Sequence, residues 1–531
     1  KQAKVTSTIE QGALKGQKLD VVWNLTLAAN LISARVPYGS MDAIAKVAGV
    51  KTVVLENTYL PCVIEREETV AEPQMFASLG MTGSSLVWSS GFTGAGSRIA
   101  VLDTGSDTNH QSLDSGAYLY ALEQNAKAAG VSFEEYVSSL DLLDAQEIAT
   151  VLPYLNFKKL YPAVTANQLY LSEKLPFAAN YIDKNLVVDH ESDGQGEHGS
   201  HVAGIATANR FIPKDGGYVD ALNTVMMAGI APDAQLITMK VFGRNGGPTD
   251  SDYMAAIEDA IYLGCDSVNL SLGSSVSDFA FNDEYAAFLE YMTQTDTVVV
   301  ASAGNSYSWP ETTMFGRPYT GDVALDTVGS PGSYGSFFTV ASVENDGGIG
   351  LIFRVDDRPF GYQDGSNGSN ASLAKLDVSD DLSGTTYEYI FVDGLGDAAD
   401  YEGMDLNGKV VFCSRGVTNF SVKAQTAVNL GAAATIVYNN TAGLFLMQIN
   451  DGKGNIPCVS VSRATGEAMD AAENKSLTVC DADMKQFTSD TMMSDFSSWG
   501  VTPDLKLKPE ITGVGGNIYS ATDPAISGSY Y

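Results

Sequence analysis

Val101-Leu102-Asp103-Thr104-Gly105 places a carboxylate at the end of an apolar run. Similar short, β-branched runs occur at 99–102, 235–241, 267–272 and 297–303. Between them lie stretches with helical periodicity, such as 252–263 with Met254, Ile257, Ala260 and Ile261. Apolar strands alternating with helices predict an α/β fold, a parallel sheet covered by helices on both faces. Such a sheet presents the residue after a strand to the crevice at its carboxyl edge, so Asp103 stands where chemistry can be done. Taken alone, the same Asp would also serve as a turn cap before Thr-Gly.

Two further stretches supply partners. Glu197-His198-Gly199-Ser200-His201-Val202-Ala203-Gly204 sets an imidazole beside glycines at the head of an apolar run. An acid that accepts from the imidazole Nδ1–H fixes the tautomer and leaves Nε2 as a general base. Ser302-Ala303-Gly304-Asn305 ends a strand with a side-chain amide able to donate to a developing oxyanion. Acid, base and oxyanion donor in this order imply a nucleophilic serine further on. A competing reading uses His198 and His201, at i and i+3 with Asp193 and Glu197 nearby, as metal ligands. It lacks the His-Glu-x-x-His order of a zinc protease. Taken singly, His110, His190 and each of the others is a structural or surface histidine, and Asn305 a loop residue.

Composition narrows the classes. The chain has 531 residues, 44% hydrophobic and 18% charged, which indicates a globular protein of several domains. Lys and Arg number 31 against 64 Asp and Glu, a net charge of −33 that argues against nucleic acid or an anionic membrane as partner. No apolar stretch approaches the roughly 18–20 residues of a membrane helix. No signal peptide is recognisable at Lys1, and both ends read as truncated or processed. Cys62, Cys265, Cys413, Cys458 and Cys480 are few, odd in number and widely spaced, which excludes a disulfide scaffold or zinc knuckle and suits small buried side chains.

The organisation is modular. Residues 19–61 read as strand–helix–strand: a strand at 21–27, a helix over 41–48 capped by Ser40 and closed by Gly49, and a strand at 51–55. A polar linker follows near 65–73. One insertion lies between Asp103 and His198, with helices expected at 121–129, 133–143 and 145–155 and caps at Ser132 and Asp144. A second, 347–488, contains strand–helix–strand at 409–412, 421–430 and 434–438 and a strand at 458–461, long enough to be a separate domain. Residues 366–370 read as a loop.

Taken together, these motifs resemble the subtilisin-like serine peptidases, the peptidase S8 family. Residues 103–110 resemble its Asp box, and 198–204 its His box with Ser200 in place of the usual Thr. Residues 302–305 resemble its oxyanion strand. Ser271-Leu272-Gly273, with Ser302, Ala303 and Gly304, resembles the segments that line the main specificity pocket and pair with substrate backbone. Phe496-Ser497-Ser498-Trp499-Gly500 and Lys508-Pro509-Glu510-Ile511-Thr512 resemble the segments preceding the Ser box, with Gly513-Val514 where Ala-Pro is common. The resemblance implies a three-layer subtilisin-like domain over 80–346 and 489–531, carrying a helical insertion at about 115–186. It implies a small α+β inhibitory propeptide with its linker over 1–72, and a protease-associated domain over 347–488. The function implied is a secreted bacterial endopeptidase, extracellular or bound to the cell wall and made as a zymogen. It would act on protein or peptide substrates by acyl-enzyme chemistry and be restrained by its own propeptide.

The resemblance requires no cofactor. Structural calcium is compatible with it, but no acidic loop has a trusted ligand spacing, and no metal ligands are assigned. Gly515-Gly516-Asn517-Ile518-Tyr519-Ser520 resembles the prelude to the family's Gly-Thr-Ser-Met box, and no such box occurs before Tyr531. Ser520, Ser527 and Ser529 do not fit it. The expectation is therefore a protease whose serine lies just beyond Tyr531, inactive over 1–531 alone. The alternatives are a non-catalytic relative that binds peptides and, third, a metal-dependent hydrolase at His198 and His201.

Overall fold

The computed structural model describes residues 1–531 apart from 62–71, 74, 192, 245, 275–282, 307–326, 346, 357, 366–371, 380–382, 441–446, 448, 450–456, 489–492, 495, 503–504 and 517. The side chains of 72–73, 75–77, 283–286, 347–350 and 480–488 also lie outside the described set. Cys62, the Cys480 side chain, the 366–370 loop and most of the expected linker thus fall outside it.

Seven strands form the central sheet: β1 (Arg98–Asp103), β2 (Phe177–Asn180), β3 (Gln235–Lys240), β4 (Ser267–Leu270), β5 (Val298–Ser302), β6 (Phe338–Glu344) and β7 (Ile511–Gly516). Their order is β7-β6-β5-β4-β1-β3-β2, and every pairing is parallel. Among the helices are α1 (Ser115–Ala129), α2 (His198–Thr207) and α3 (Asp250–Tyr262). The strands read as unbroken apolar runs because both faces are covered. Ala100 and Leu102 join Ile237, Met239 and the α3 residues Ala256 and Ile257 in one core. Val101 and Leu236 face the other way, onto Ala203 of α2. The sheet is therefore the middle of three layers, and β1, flanked by β3 and β4, ends at the point where strand order reverses.

In the first insertion α1 starts earlier than periodicity suggested, because Asp114 accepts from the Ala117 amide at 2.7 Å and caps it. Ser132 and Asp144 cap the next two helices, Phe133–Ser138 and Ala145–Val151. Both stop short of their expected ends; the second passes into a 3-10 turn, Leu152–Tyr154, that contains Pro153.

The N-terminal unit departs from the sequence reading. Strand Asp20–Leu25 pairs antiparallel with Leu31–Arg35, a strand the sequence did not signal. No strand forms at 51–55, and the expected helix over 41–48 shrinks to Met41–Ile44 without a side-chain cap from Ser40. A helix, Gln2–Gln11, precedes the hairpin. The hairpin and the first helix enclose their own small core of Ile9, Leu14, Leu19 and Ile44. Trp23 and Leu25, on the hairpin's other side, join the core built on α3, so the hairpin completes its burial against the larger unit.

The second insertion supplies eight strands of a separate nine-stranded sheet among the described residues. Val410–Ser414, Ala434–Tyr438 and Cys458–Val461 are parallel neighbours with the helix Phe420–Asn429 between the first two, as periodicity predicts. Two apolar clusters belong to this unit, and Cys413 and Cys458 are buried, unpaired members of one of them. Glu72–Pro73 pairs with Gly348 and Ile349, attaching the end of the N-terminal segment to this unit.

Candidate active site

The parallel register of β1 with β3 sets Asp103 beside Lys240 at the carboxyl edge. Asp103 is buried, and its Oδ1 accepts from His198 Nδ1 at 2.8 Å and from the Thr104 amide at 2.7 Å. Its Oδ2 is buried and has no hydrogen-bond partner among the described residues. An ionised carboxylate only accepts, so Nδ1 carries the hydrogen and Nε2 is the basic nitrogen. The His198 side chain is 17% exposed against 1% for Asp103. The base thus reaches the crevice while the acid stays dry.

His198 opens α2, and the chain secures that helix to the Asp103 loop. Thr104 Oγ1 accepts from the Gly199 amide at 2.9 Å. Ser200 Oγ accepts from the Asp107 amide at 2.7 Å and lies 2.7 Å from His190 Nε2. A Cβ on Gly199 would lie 2.1 Å from the Gly105 carbonyl oxygen, and Gly105 itself has φ +104°. Only glycine fits at both places, so the two backbones meet without a side chain between them.

Lys240 was not marked by sequence reading. Its side chain is fully buried, pairs with Asp193 at 3.1 Å and donates to the Thr104 carbonyl. One cation therefore joins the residue after Asp103 to the loop before His198. A lysine inside the apolar run Leu236-Ile237-Thr238-Met239-Lys240-Val241 was the available signal, since a buried charge needs a partner.

Ser302, Ala303, Gly304 and Asn305 lie at and beyond the end of β5, two strands from β1 on the same edge of the sheet. Gly304 has φ +109°, and its carbonyl accepts from the Ser498 amide at 2.9 Å. Ser498 Oγ accepts from the Ser306 amide at 2.9 Å. The Phe-Ser-Ser-Trp-Gly segment thus supports the turn that carries Asn305. Ser271, Leu272 and Gly273 follow β4, between these two places. Leu272 and Gly273 pair antiparallel with Pro61 and Leu60. On the other side Thr58 bridges Thr249, and the Tyr59 amide donates to the Pro248 carbonyl at 3.0 Å. The tail of the N-terminal unit therefore lies as a strand between 248–249 and 272–273. Sequence reading did not foresee this contact.

The remaining histidines have other partners. His201 Nε2 lies 3.3 Å from the Ile518 carbonyl, and burial pushes its pKa down to about 4. It is a neutral donor at pH 7. His110 Nε2 lies 2.8 Å from the Tyr530 carbonyl, and burial lowers its pKa as well. His198 Nδ1 and His201 Nε2 each face a protein acceptor. Among the described residues no group of three His, Cys, Asp or Glu could hold a metal ion. Ser520, Ser527 and Ser529 each donate their hydroxyl to a backbone carbonyl.

A family model described as the subtilase family matches residues 94–530. The chain belongs to that family. This subtilase is 29% identical over 516 residues to a PII-type proteinase of Lacticaseibacillus paracasei, covering 92% of the chain and 24% of the relative. It is 27% identical over 507 residues to the minor extracellular protease Vpr of Bacillus subtilis, covering 92% of the chain and 50% of that protein. A C5a peptidase of Streptococcus pyogenes is 26% identical over 434 residues, covering 81% and 32%. The subtilase chain thus spans between about a quarter and a half of the curated relatives it matches. The parallel sheet with helices on both faces accords with the membership, and relatives named proteinases and peptidases make it a serine peptidase relative. No helix among the described residues is long and apolar enough to cross a membrane.

Proposed function

We propose that this subtilase is the catalytic portion of a secreted bacterial serine endopeptidase, made as a zymogen. Asp103 orients His198 and stabilises its imidazolium, and His198 Nε2 is the general base. The nucleophile is a serine supplied beyond Tyr531. Its hydroxyl oxygen attacks the peptide carbonyl as the proton passes to Nε2. That proton then goes to the leaving amine, and water hydrolyses the acyl-enzyme with His198 as base again. Asn305 donates to the oxyanion, and Ser271–Gly273 with Ser302–Gly304 hold the substrate backbone and first side chain. No cofactor is required.

The observation that carries this reading is the 2.8 Å hydrogen bond from His198 to the buried Asp103, joined to a helix whose first turn is tied to the same loop. The relatives are bacterial, and one is named extracellular, which supports secretion. The tail strand 58–61 lying on Leu272–Gly273 supports the N-terminal unit as an intramolecular inhibitor over 1–72. The separate sheet built by 347–488 fits an inserted protease-associated domain.

The test is activity of the protein extended past Tyr531, compared with residues 1–531. The extended protein should cleave casein and react with a fluorophosphonate, and residues 1–531 should do neither. His198→Ala in the extended protein should abolish turnover with the fold retained by circular dichroism. Asn305→Ala should lower kcat by about 10²–10³, a magnitude measured on subtilisin rather than on this chain. An extended protein that binds peptides but never labels would establish the non-catalytic alternative instead.

A further inference from the structure

The loop 188–193 touches both halves of the site. The Val188 carbonyl accepts from the Ser106 amide at 2.9 Å, and Asp193 pairs with Lys240 at 3.1 Å. Between them His190, 1% exposed, sets Nε2 2.7 Å from Ser200 Oγ. Ser200 is also buried and stands two residues after His198 in the first turn of α2. Its oxygen accepts from the Asp107 amide at 2.7 Å. Among the described residues its hydroxyl hydrogen has no acceptor other than His190 Nε2. Nε2 is therefore the accepting nitrogen, and the neutral ring carries its hydrogen on Nδ1, which is buried without a hydrogen-bond partner among the described residues. Burial and the Lys240 ammonium hold the pKa of His190 below its ordinary value, against the opposite pull of Asp523, Asp103 and Asp193. The ring thus stays an acceptor at pH 7.

We propose that His190 is a positioning residue for catalysis: it holds the Ser200 hydroxyl in the orientation that ties α2, and with it His198, to the loop following Asp103. The inference rests on the peptidase reading, in which His198 is the general base. A helical serine without an outside acceptor turns its hydroxyl to the carbonyl three or four residues back. Three back from Ser200 is the Glu197 carbonyl, which already accepts from the Ser200 and His201 amides. That rotation would carry Oγ away from the Asp107 amide. The first turn of α2 would then depend on the Thr104–Gly199 bond for its hold on the loop. His198 would shift against Asp103 while the strands that hold substrate stay in place. The loss therefore falls on kcat rather than on KM.

The test uses the protein extended past Tyr531 and a fluorogenic peptide. It compares His190→Leu, which removes the acceptor, with His190→Gln, which keeps one. His190→Leu should lower kcat at least about tenfold with KM within about twofold, less than the roughly 10²-fold cost of a 1 Å misplacement. His190→Gln should recover most of that loss. Ser200→Ala should lower kcat alike, and the double variant His190→Leu with Ser200→Ala should lose no more than either single change, because both remove one bond. An unchanged kcat, equal losses with Leu and Gln, or losses that multiply in the double variant would overturn the inference and leave the peptidase reading intact. If His190→Leu fails to fold, Ser200→Ala and His190→Gln decide: a loss in the first alone sustains the inference, and equal losses overturn it. Absence of turnover in the unsubstituted extended protein would overturn the peptidase reading. The low-field proton resonance of His198 Nδ1–H then judges the positioning by itself. Its displacement in Ser200→Ala but not in His190→Gln sustains the role, and an unmoved resonance in both ends it.

Discussion

Gly199 rests on the backbone of Gly105 so closely that a methyl group on it would stand 2.1 Å from the Gly105 carbonyl oxygen. This contact sets the distance between the strand that carries Asp103 and the helix that carries His198. Gly199→Ala should raise helix propensity by about 1 kcal/mol yet push α2 off the loop. A shift of 1 Å at a catalytic hydrogen bond costs about 10²-fold in rate, so kcat/KM should fall by that order in the active protein. Steady-state kinetics beside a melting curve checks it; unchanged kcat/KM would show that the helix can yield without disturbing the pair.

Lys240 and Asp193 form a buried ion pair whose cation also holds the Thr104 carbonyl. Removing one partner of a buried pair leaves the other charge uncompensated and costs about 3–5 kcal/mol. Lys240→Met should therefore be strongly destabilising, and Lys240→Met with Asp193→Leu should recover much of the loss. Urea unfolding of the two variants distinguishes this from a packing defect, which the double change would not repair.

His201 supplies a pH dependence. Its folded pKa of about 4 lies below the ordinary 6.5, so the folded state resists a proton that the unfolded chain accepts. Its contribution is fully present above pH 6.5 and is lost as pH falls toward 4. At about 1.4 kcal/mol per pH unit the loss reaches up to about 3 kcal/mol. Asp259 is pushed up to about 7 by burial and titrates with the opposite sign: its contribution is present below its unfolded pKa and lost as pH rises toward 7. The difference between wild type and His201→Gln therefore isolates the histidine. Stability curves of the two proteins should converge between pH 6.5 and 4, and parallel curves would contradict the assignment.

Glu258 on α3 accepts from the Ala28 amide at 2.7 Å and the Leu27 amide at 3.2 Å, in the turn of the N-terminal hairpin. With Trp23 Nε1 donating to Asp252 at 2.6 Å, it anchors that hairpin to the larger unit. Glu258→Leu should loosen the hairpin, since bonds to a charged acceptor are worth about 1.5–3 kcal/mol each. Hydrogen exchange should quicken at least about tenfold at residues 20–35 while β1 stays protected. Equal protection in both would place the anchor elsewhere.

Legibility followed the range of the interactions. The strands β1, β3, β4 and β5 and helix α3 were readable because buried parallel strands are apolar on both faces, so their pattern is local. The caps Ser132 and Asp144 were readable because a cap bonds amides two or three residues away. The hairpin of the N-terminal unit was misread. Leu31–Arg35 carries no turn signal stronger than its neighbours, and 51–55 looked more strand-like yet found no edge to pair with. Lys240 was visible as an anomaly, but its partner Asp193 lies 47 residues earlier in the chain.

The residues themselves determined the chemical types at the site and their order: an acid after a strand, an imidazole before a helix, an amide after a glycine. Those features depend on neighbours within one turn or strand. The tertiary structure alone decided that Asp103 and His198 meet at 2.8 Å, that Lys240 and Asp193 lock their loops together, and that Tyr59 ends against Asp250. These contacts join residues 95, 47 and 191 positions apart. Contacts at that separation form only once a sheet has set its strand order, and no local pattern encodes which side chains will share its edge.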